Sequence, residues 1–206
     1  MYTPAHFRED ELAAQHEIIR AARLCNLVSQ TGDGLIATPL PMLLDPAEEP
    51  LGTLYGHFAR ANPHWKQLSD GEALAIFMGP DAYVSPAWYA TKAETGKVVP
   101  TWNYVAVHAY GPVEIFDDAE RLRDVVSRLS DLHEAPRAAP WAVADAPADY
   151  ISGMLKGIVG LRLPIARLEG KRKLSQNRTD ADRAGVAEGL AASGDPMDRA
   201  VGDLIK

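Results

Sequence analysis

DAYVSPAWYATKAETGKVVPTWNYVAVHAYG, residues 81–111, holds six of the fifteen aromatic residues of the chain: Tyr83, Trp88, Tyr89, Trp102, Tyr104 and Tyr110. They sit among small residues, two prolines, two lysines and Asn103. A segment that only fills a core would carry more Leu and Ile. Tyr and Trp combine flat apolar area with a hydrogen-bonding edge, which suits a planar heterocyclic ligand or a subunit interface. In the second half Val105, Val107 and Ala109 alternate with Tyr104, Ala106, His108 and Tyr110. That period of two predicts a strand within an extended run over 98–116, and Gly111-Pro112 predicts a bend of the kind that curves a barrel.

Working outward, residues 72–78 (EALAIFM) predict a central strand, with Gly79-Pro80-Asp81 turning the chain into the aromatic stretch. Residues 91–97 read as a polar loop. Upstream, acidic residues enrich the first turn of a helix over 10–26, in which His16 is a helix-surface or packing residue rather than a ligand. A hairpin follows over 26–44, turning at Thr31-Gly32-Asp33-Gly34, and Pro39 and Pro41 place its second strand at an edge or bulge. Residues 52–57 predict a short strand, and Asn62-Pro63 reads as the cap and first residue of a short helix. Downstream, Asp117 to Glu120 opens an amphipathic helix to Glu134, with Leu122, Val125, Val126, Leu129 and Leu132 at helical spacing. A Pro/Ala-rich connection over 135–147, a short helix over 148–156 and a strand over 158–168 follow. Pro164 points to an edge or bulge in that strand. Residues 180–192 and 196–206 predict two marginal helices.

Short strands interrupted by Gly and Pro, before one good amphipathic helix, predict an α+β fold with a curved sheet or small barrel. The chain of 206 residues suits one domain, with a basic and helical tail from about residue 169. The single Cys25 excludes an intrachain disulfide and a Cys-based zinc site. With no signal-peptide pattern and no apolar run of membrane-spanning length, the expectation is a cytoplasmic protein with no membrane partner. The net charge of −7 argues against sequence-independent nucleic-acid binding by the chain as a whole. Residues 161–183 are the exception, with seven Lys or Arg against three Asp or Glu.

No strand–Gly-rich turn–helix unit occurs, so neither a Rossmann nor a P-loop site is available. G-x-S-x-G and H-E-x-x-H are absent, and the six scattered His residues predict no metal site. The residues favour a flat, phosphorylated cofactor. Arg60 beside a helix N-terminus, Lys171-Arg172-Lys173 and Arg178 supply cations. Ser175, Gln176 and Asn177 supply neutral donors and acceptors, and Trp102-Asn103-Tyr104 a flat surface with an amide. The basic run alone is equally consistent with a solvated segment or a phosphate-backbone contact to DNA.

GHFARANPHW (56–65), YVSPAWY (83–89), VPTWNYVAVHAYG (99–111) and GKRKLSQNRTDADRAGV (170–186) resemble the PaiB-like family of FMN-binding negative transcriptional regulators. The opening MYTPAHF and the helix and hairpin up to LPMLL share the likeness. The resemblance implies a split β-barrel of the pyridoxamine-phosphate-oxidase kind with peripheral helices, a homodimer, and FMN at the dimer interface. It implies that Thr38, the loop from His57 to Asn62, the strand of Trp102, Asn103 and Tyr104, and the segment of Lys171, Lys173, Ser175, Gln176 and Asn177 lie near the flavin. A repressor or flavin-dependent sensor is the implied role. An FMN oxidoreductase using NAD(P)H and a haem-binding split barrel, with His57 or His108 as axial ligand, are the alternatives. No residue stands out as a catalytic acid or base, so any redox chemistry is the cofactor's.

Overall fold

The computed structural model describes residues 1–22, 24–68 and 71–205. The helix expected over 10–26 is α1, Leu12–Ala21, and its Arg23 lies outside the described residues, as does Lys206 of the last expected helix. The described chain divides into two compact units. One comprises Met1–Ile18, Met78–Val107 and Glu169–Lys206; the other comprises Ile19–Phe77 and His108–Leu168.

The second unit is built on hairpins. Strands β2 (Cys25–Thr31) and β3 (Gly34–Leu40) pair from Cys25↔Leu40 to Thr31↔Gly34, so the turn is the two residues Gly32-Asp33. Gly34 takes φ +116°, which a side chain rarely adopts, and the Thr31 hydroxyl donates to the Gly34 carbonyl at 2.8 Å. Strand β4 is Met42–Asp45, β5 Thr53–Ala59, β8 Glu114–Phe116 and β9 Ile158–Pro164. They form one antiparallel sheet in the order β4-β5-β9-β8. Strand β9 is therefore an interior strand, not the expected edge. Pro164 is tolerated because it ends the strand opposite Thr53, past the β8 ladder, which stops at Arg162.

Helix α4 (Ala119–Glu134) covers one face of this sheet. Its cap is Asp118, whose carboxylate accepts from the N–H groups of Glu120 and Arg121. Leu122, Val125 and Leu129 pack with Phe116 and with Ile151 and Leu155 of α5 (Ala148–Leu155). Truncating such a buried Leu to Ala costs ~2–5 kcal/mol. The short helix after Asn62 is α2, His64–Gln67, beginning one residue later than the sequence suggests; the Asn62 side chain still accepts from the His64 N–H at 2.9 Å.

In the first unit β1 (Arg8–Glu9) pairs with β10 (Arg167–Lys173) through Arg8↔Lys171 and Glu9↔Gly170. Residues 167–173 are thus a strand rather than a tail. A Cβ on Gly170 would stand 2.5 Å from the Glu9 carbonyl, so the approach of these two backbones requires glycine. Strand β6 (Glu72–Val84) continues through Gly79-Pro80-Asp81 instead of turning there. Pro80 is accommodated because it lies beyond the ladder with β2, which covers only Leu74–Phe77. Strand β7 is Thr101–Pro112, and the order here is β1-β10-β7-β6. Strand β3, carrying Pro39, is at the edge as expected. Residues 91–97 hold a short helix, α3 (Thr91–Thr95), closed by Gly96 at φ +64°. Helices α6 (Asp180–Ala191) and α7 (Pro196–Gly202) complete the chain.

Candidate functional site

The sequence-derived candidates fall into two groups, one in each unit. In the second unit His64, which the sequence left unassigned, is fully buried at the centre of a polar cluster. Its Nε2 is 2.9 Å from the Ser29 hydroxyl and its Nδ1 2.7 Å from the Thr38 hydroxyl. Asn62 donates weakly to Thr38 at 3.4 Å. Burial lowers the His64 pKa and keeps the ring neutral. Each polar atom of the ring is matched, which is how a buried histidine is made stable in a core. Thr38 and Asn62 thus serve the fold here, holding hairpin and α2 together.

Arg60 is similarly committed. Its guanidinium donates to both carboxylate oxygens of Asp117 and to the carbonyls of Lys156 and Ile158. Little of its donor fork is left for an anion. The helix beyond it has four residues, too short for a useful dipole. His57 lies on β5 facing α4; burial lowers its pKa, and its Nδ1 has no hydrogen-bond partner among the described residues. His108 stands 3.5 Å from the Tyr110 hydroxyl through Nδ1.

The other group is different. In the first unit β7 and β10 bring together Trp102, Asn103, Tyr104, Lys171, Lys173 and Ser175, residues about seventy positions apart. Asn103 is 1% exposed, and its side-chain amide donates to the buried Ser175 hydroxyl at 3.0 Å. Lys173 Nζ donates to the Thr101 hydroxyl at 2.6 Å and to the Trp102 carbonyl. Lys171 Nζ donates to the Tyr2 carbonyl at 3.0 Å and lies 5.0 Å from the Tyr104 ring centroid. Arg178 stands 4.7 Å over the Tyr89 ring. The Lys173 pKa is lowered, first by burial and then by the repulsion of Lys171 and Arg178. No ion pair joins Lys171, Lys173 or Arg178 to a carboxylate among the described residues.

The turn after β10 adds backbone groups. Ser175 takes φ +64°, one of two described non-glycine residues in the left-handed region. Such strain persists only where surroundings over-determine it, here through the Asn103 bond and the Gln176 side chain. Gln176 bridges the turn, accepting from the Leu174 N–H at 2.7 Å and donating to the Arg172 carbonyl at 2.6 Å. Its role is therefore to shape the loop. Asn177 is exposed at the tip. On the neighbouring strands Trp102 is 53% exposed and Tyr83 46%, their rings edge-to-face at 5.9 Å. Sequence reasoning missed Tyr83, Thr101 and Tyr2 as members of this group. Tyr83 and Thr101 lay in the aromatic stretch and Tyr2 in the opening MYTPAHF, but none was singled out. Among the described residues no cluster of His, Cys, Asp and Glu could hold a metal ion, and no helix is long and apolar enough to cross a membrane.

The donor set suits a phosphorylated, flat cofactor: clustered cations without counter-charge, hydroxyl and amide groups, and an open aromatic surface. Residues 1–167 match the family model described as "Putative FMN-binding domain". The protease synthase and sporulation protein PAI 2 of Bacillus subtilis is 30% identical over 207 residues, covering 100% of this chain and 97% of that protein. An uncharacterized protein of Emericella nidulans is 32% identical over 243 residues, covering 100% and 96%. Among solved structures, the FAD and heme binding protein from Mycobacterium smegmatis aligns with a TM-score of 0.60 at 15% identity, covering 86% of this chain and 78% of that one. The flavocytochrome Anf3 from Azotobacter vinelandii aligns with a TM-score of 0.58 at 16% identity, covering 86% and 75%. At such identities the likeness speaks for the fold alone, an α+β split β-barrel with peripheral helices. The chain belongs to the FMN-binding domain family whose model spans residues 1–167, and FMN is its cofactor.

Proposed function

We propose that the chain is a regulatory flavoprotein that holds the FMN phosphate at Lys171, Lys173 and Arg178, beside the turn of Ser175 and Asn177. Trp102 and Tyr104, with Tyr83 behind them, would take the flavin ring, and a second copy of the chain would cover the exposed side. The observation that carries this reading is the uncompensated charge: Lys171, Lys173 and Arg178 have no carboxylate partner among the described residues, and the Lys173 pKa is lowered first by burial and then by the other two cations. A cluster of one sign of charge focuses its field on a ligand of the opposite sign. A phosphate dianion relieves that repulsion and accepts several of the donors at once. Asn103 holds the Ser175 turn in its left-handed conformation, while Gln176 fixes the loop geometry. When bound, FMN supplies a two-electron redox centre; the residues around it bind, orient and shield it.

The regulatory role is supported by the relative of Bacillus subtilis, whose name links it to protease synthesis and sporulation. Direct contact with DNA through the basic run is not part of this reading. Arg172 pairs with Glu9 at 3.0 Å, so β10 presents no continuous basic face.

The test is the absorbance spectrum and thermal shift of the purified protein with FMN and with riboflavin. FMN should give a bound-flavin spectrum and raise apparent stability by roughly 3–4 kcal/mol at 100–1,000 times Kd, and riboflavin should bind far more weakly. Equal binding of the two would remove the phosphate site. A colourless protein that FMN does not stabilise would remove the reading altogether. A dimer by size-exclusion chromatography with light scattering is expected, and bleaching of bound FMN by NAD(P)H would make the protein an oxidoreductase.

A further inference from the structure

Within the first unit, the segment that follows β6 is fastened along one face of α6. Residues Pro86–Trp88 form a single turn opened by Ser85, whose hydroxyl accepts from the Ala87 N–H at 3.2 Å. Trp88 then lies against two glycines of α6. A Cβ on Gly185 would stand 2.1 Å from the Trp88 carbonyl oxygen, and one on Gly189 2.4 Å from the indole ring. Three residues before Gly185, Asp182 is 2% exposed. Its carboxylate accepts from the Thr91 N–H at 3.0 Å and from the Thr91 hydroxyl at 2.9 Å. Asp182, Gly185 and Gly189 have the spacing of one helix face, so residues 88–91 are held at both ends along it.

Between these two anchors lies Tyr89, 3% exposed. The Arg178 guanidinium stands over its ring, 4.7 Å from the centroid. Burial raises the Tyr89 pKa and keeps the phenol neutral, and its hydroxyl has no hydrogen-bond partner among the described residues. A buried hydroxyl left unmatched destabilises, so the ring and not the oxygen is what this position uses. Arg178 immediately precedes Thr179, the cap of α6, whose hydroxyl accepts from the Asp182 N–H at 3.2 Å. One helix thus fixes both the ring and the backbone that bears the guanidinium. The other two unpaired cations are seated in the same way, Lys171 at 5.0 Å and Lys173 at 5.9 Å from the Tyr104 centroid. A ring face attracts a cation without cancelling its charge, whereas a carboxylate in its place would neutralise it.

We propose that Tyr89 is a positioning residue for the FMN phosphate: its ring face holds the Arg178 guanidinium in place with the charge left free for the anion. This role rests on the phosphate site proposed above and adds to it a residue that acts only through Arg178.

The experiment is a double-mutant cycle on the full chain, read by titration of FMN fluorescence. Arg178→Gln should weaken FMN at least tenfold. Tyr89→Leu should weaken it about tenfold, while Tyr89→Phe should match the parent because the ring is kept. In the Arg178→Gln background, Tyr89→Leu should cause no further loss, since its effect passes through the missing guanidinium. Tyr89 is buried, so a second measurement uses 3,4,5-trifluorophenylalanine in its place, which keeps the ring's shape and withdraws the negative charge from its face. Relative to Tyr89→Phe it should weaken FMN about threefold, whether or not the leucine variant folds. Three results would overturn the role of Tyr89 and leave the phosphate site standing: FMN affinity unchanged by the fluorinated ring, additive losses in the cycle, or a loss on Tyr89→Phe as large as on Tyr89→Leu. A chain that binds no FMN, or one in which Arg178→Gln has no effect on FMN, would overturn both.

Discussion

The two units differ in one group of charges. In the second unit each arginine that contributes to the fold is answered by an acid: Arg60 by Asp117, Arg128 by Asp45, Arg162 by Glu48 and Arg167 by Glu72. Its most buried titratable ring, His64, is neutral and flanked by two hydroxyls. In the first unit Arg172 is paired with Glu9, yet Lys171, Lys173 and Arg178 next to it are not paired with any described carboxylate. Basic residues close in sequence can therefore have different purposes. A cation neutralised by its own chain is part of the framework, whereas the group left to repel one another is the one proposed for the flavin phosphate.

The contrast is open to attack by mutation. The largest effect belongs to Lys173→Glu, which should weaken FMN by about a hundredfold or more by replacing a charged donor with a like charge. The same variant should melt no lower than the parent without FMN, because it relieves repulsion. A fall in both properties would place Lys173 in the framework instead. Next is His64→Leu, which leaves the Ser29 and Thr38 hydroxyls without their partner and should cost about 2 kcal/mol in denaturant unfolding. Its FMN affinity should match the parent, and a large loss would bring Thr38 and Asn62 back to the flavin.

Arg162→Ala should be somewhat milder, at about 1–2 kcal/mol, since Glu48 and the Tyr55 hydroxyl both lose a donor. FMN titration of this variant should be unchanged. The smallest effect is that of mild acid. Burial depresses the pKa of both His57 and His64 below 6.5. The unfolded chain therefore takes up protons first, and stability present above about pH 6.5 is lost progressively as the pH falls through the depressed values. Urea unfolding across pH 7.5 to 5 checks this, and His64→Leu should show a shallower acid slope than the parent. An equal slope would mean that His64 is not the buried neutral group described.

Much of this was legible before any fold was known. The Gly32-Asp33 hairpin, the amphipathic helix α4 and the edge strand marked by Pro39 follow from local rules, because turn residues and periodicity act over a few positions. The resemblance of the segments around Trp102 and Lys171 to FMN-binding proteins was likewise carried by short motifs. Other readings failed for a shared reason. Pro80 and Pro164 were taken as breaks or edges, yet whether a missing N–H matters depends on how far the neighbouring strand reaches. Residues 91–97 were read as a loop because five residues give too little periodicity to signal α3.

The basic segment shows the division most clearly. By itself the sequence determined which residues it holds, that they outnumber the acids, and that Ser, Gln and Asn follow. It could not distinguish a solvated tail from a site. Only tertiary structure decided that residues 167–173 are a strand, that Arg172 meets Glu9, and that Lys173 stands with Thr101 and Trp102. It also turned Arg60 from an anion candidate into the partner of Asp117. Composition counts charges, but pairing depends on which residues the folded backbone brings within a few ångströms, and those partners lie tens of residues away.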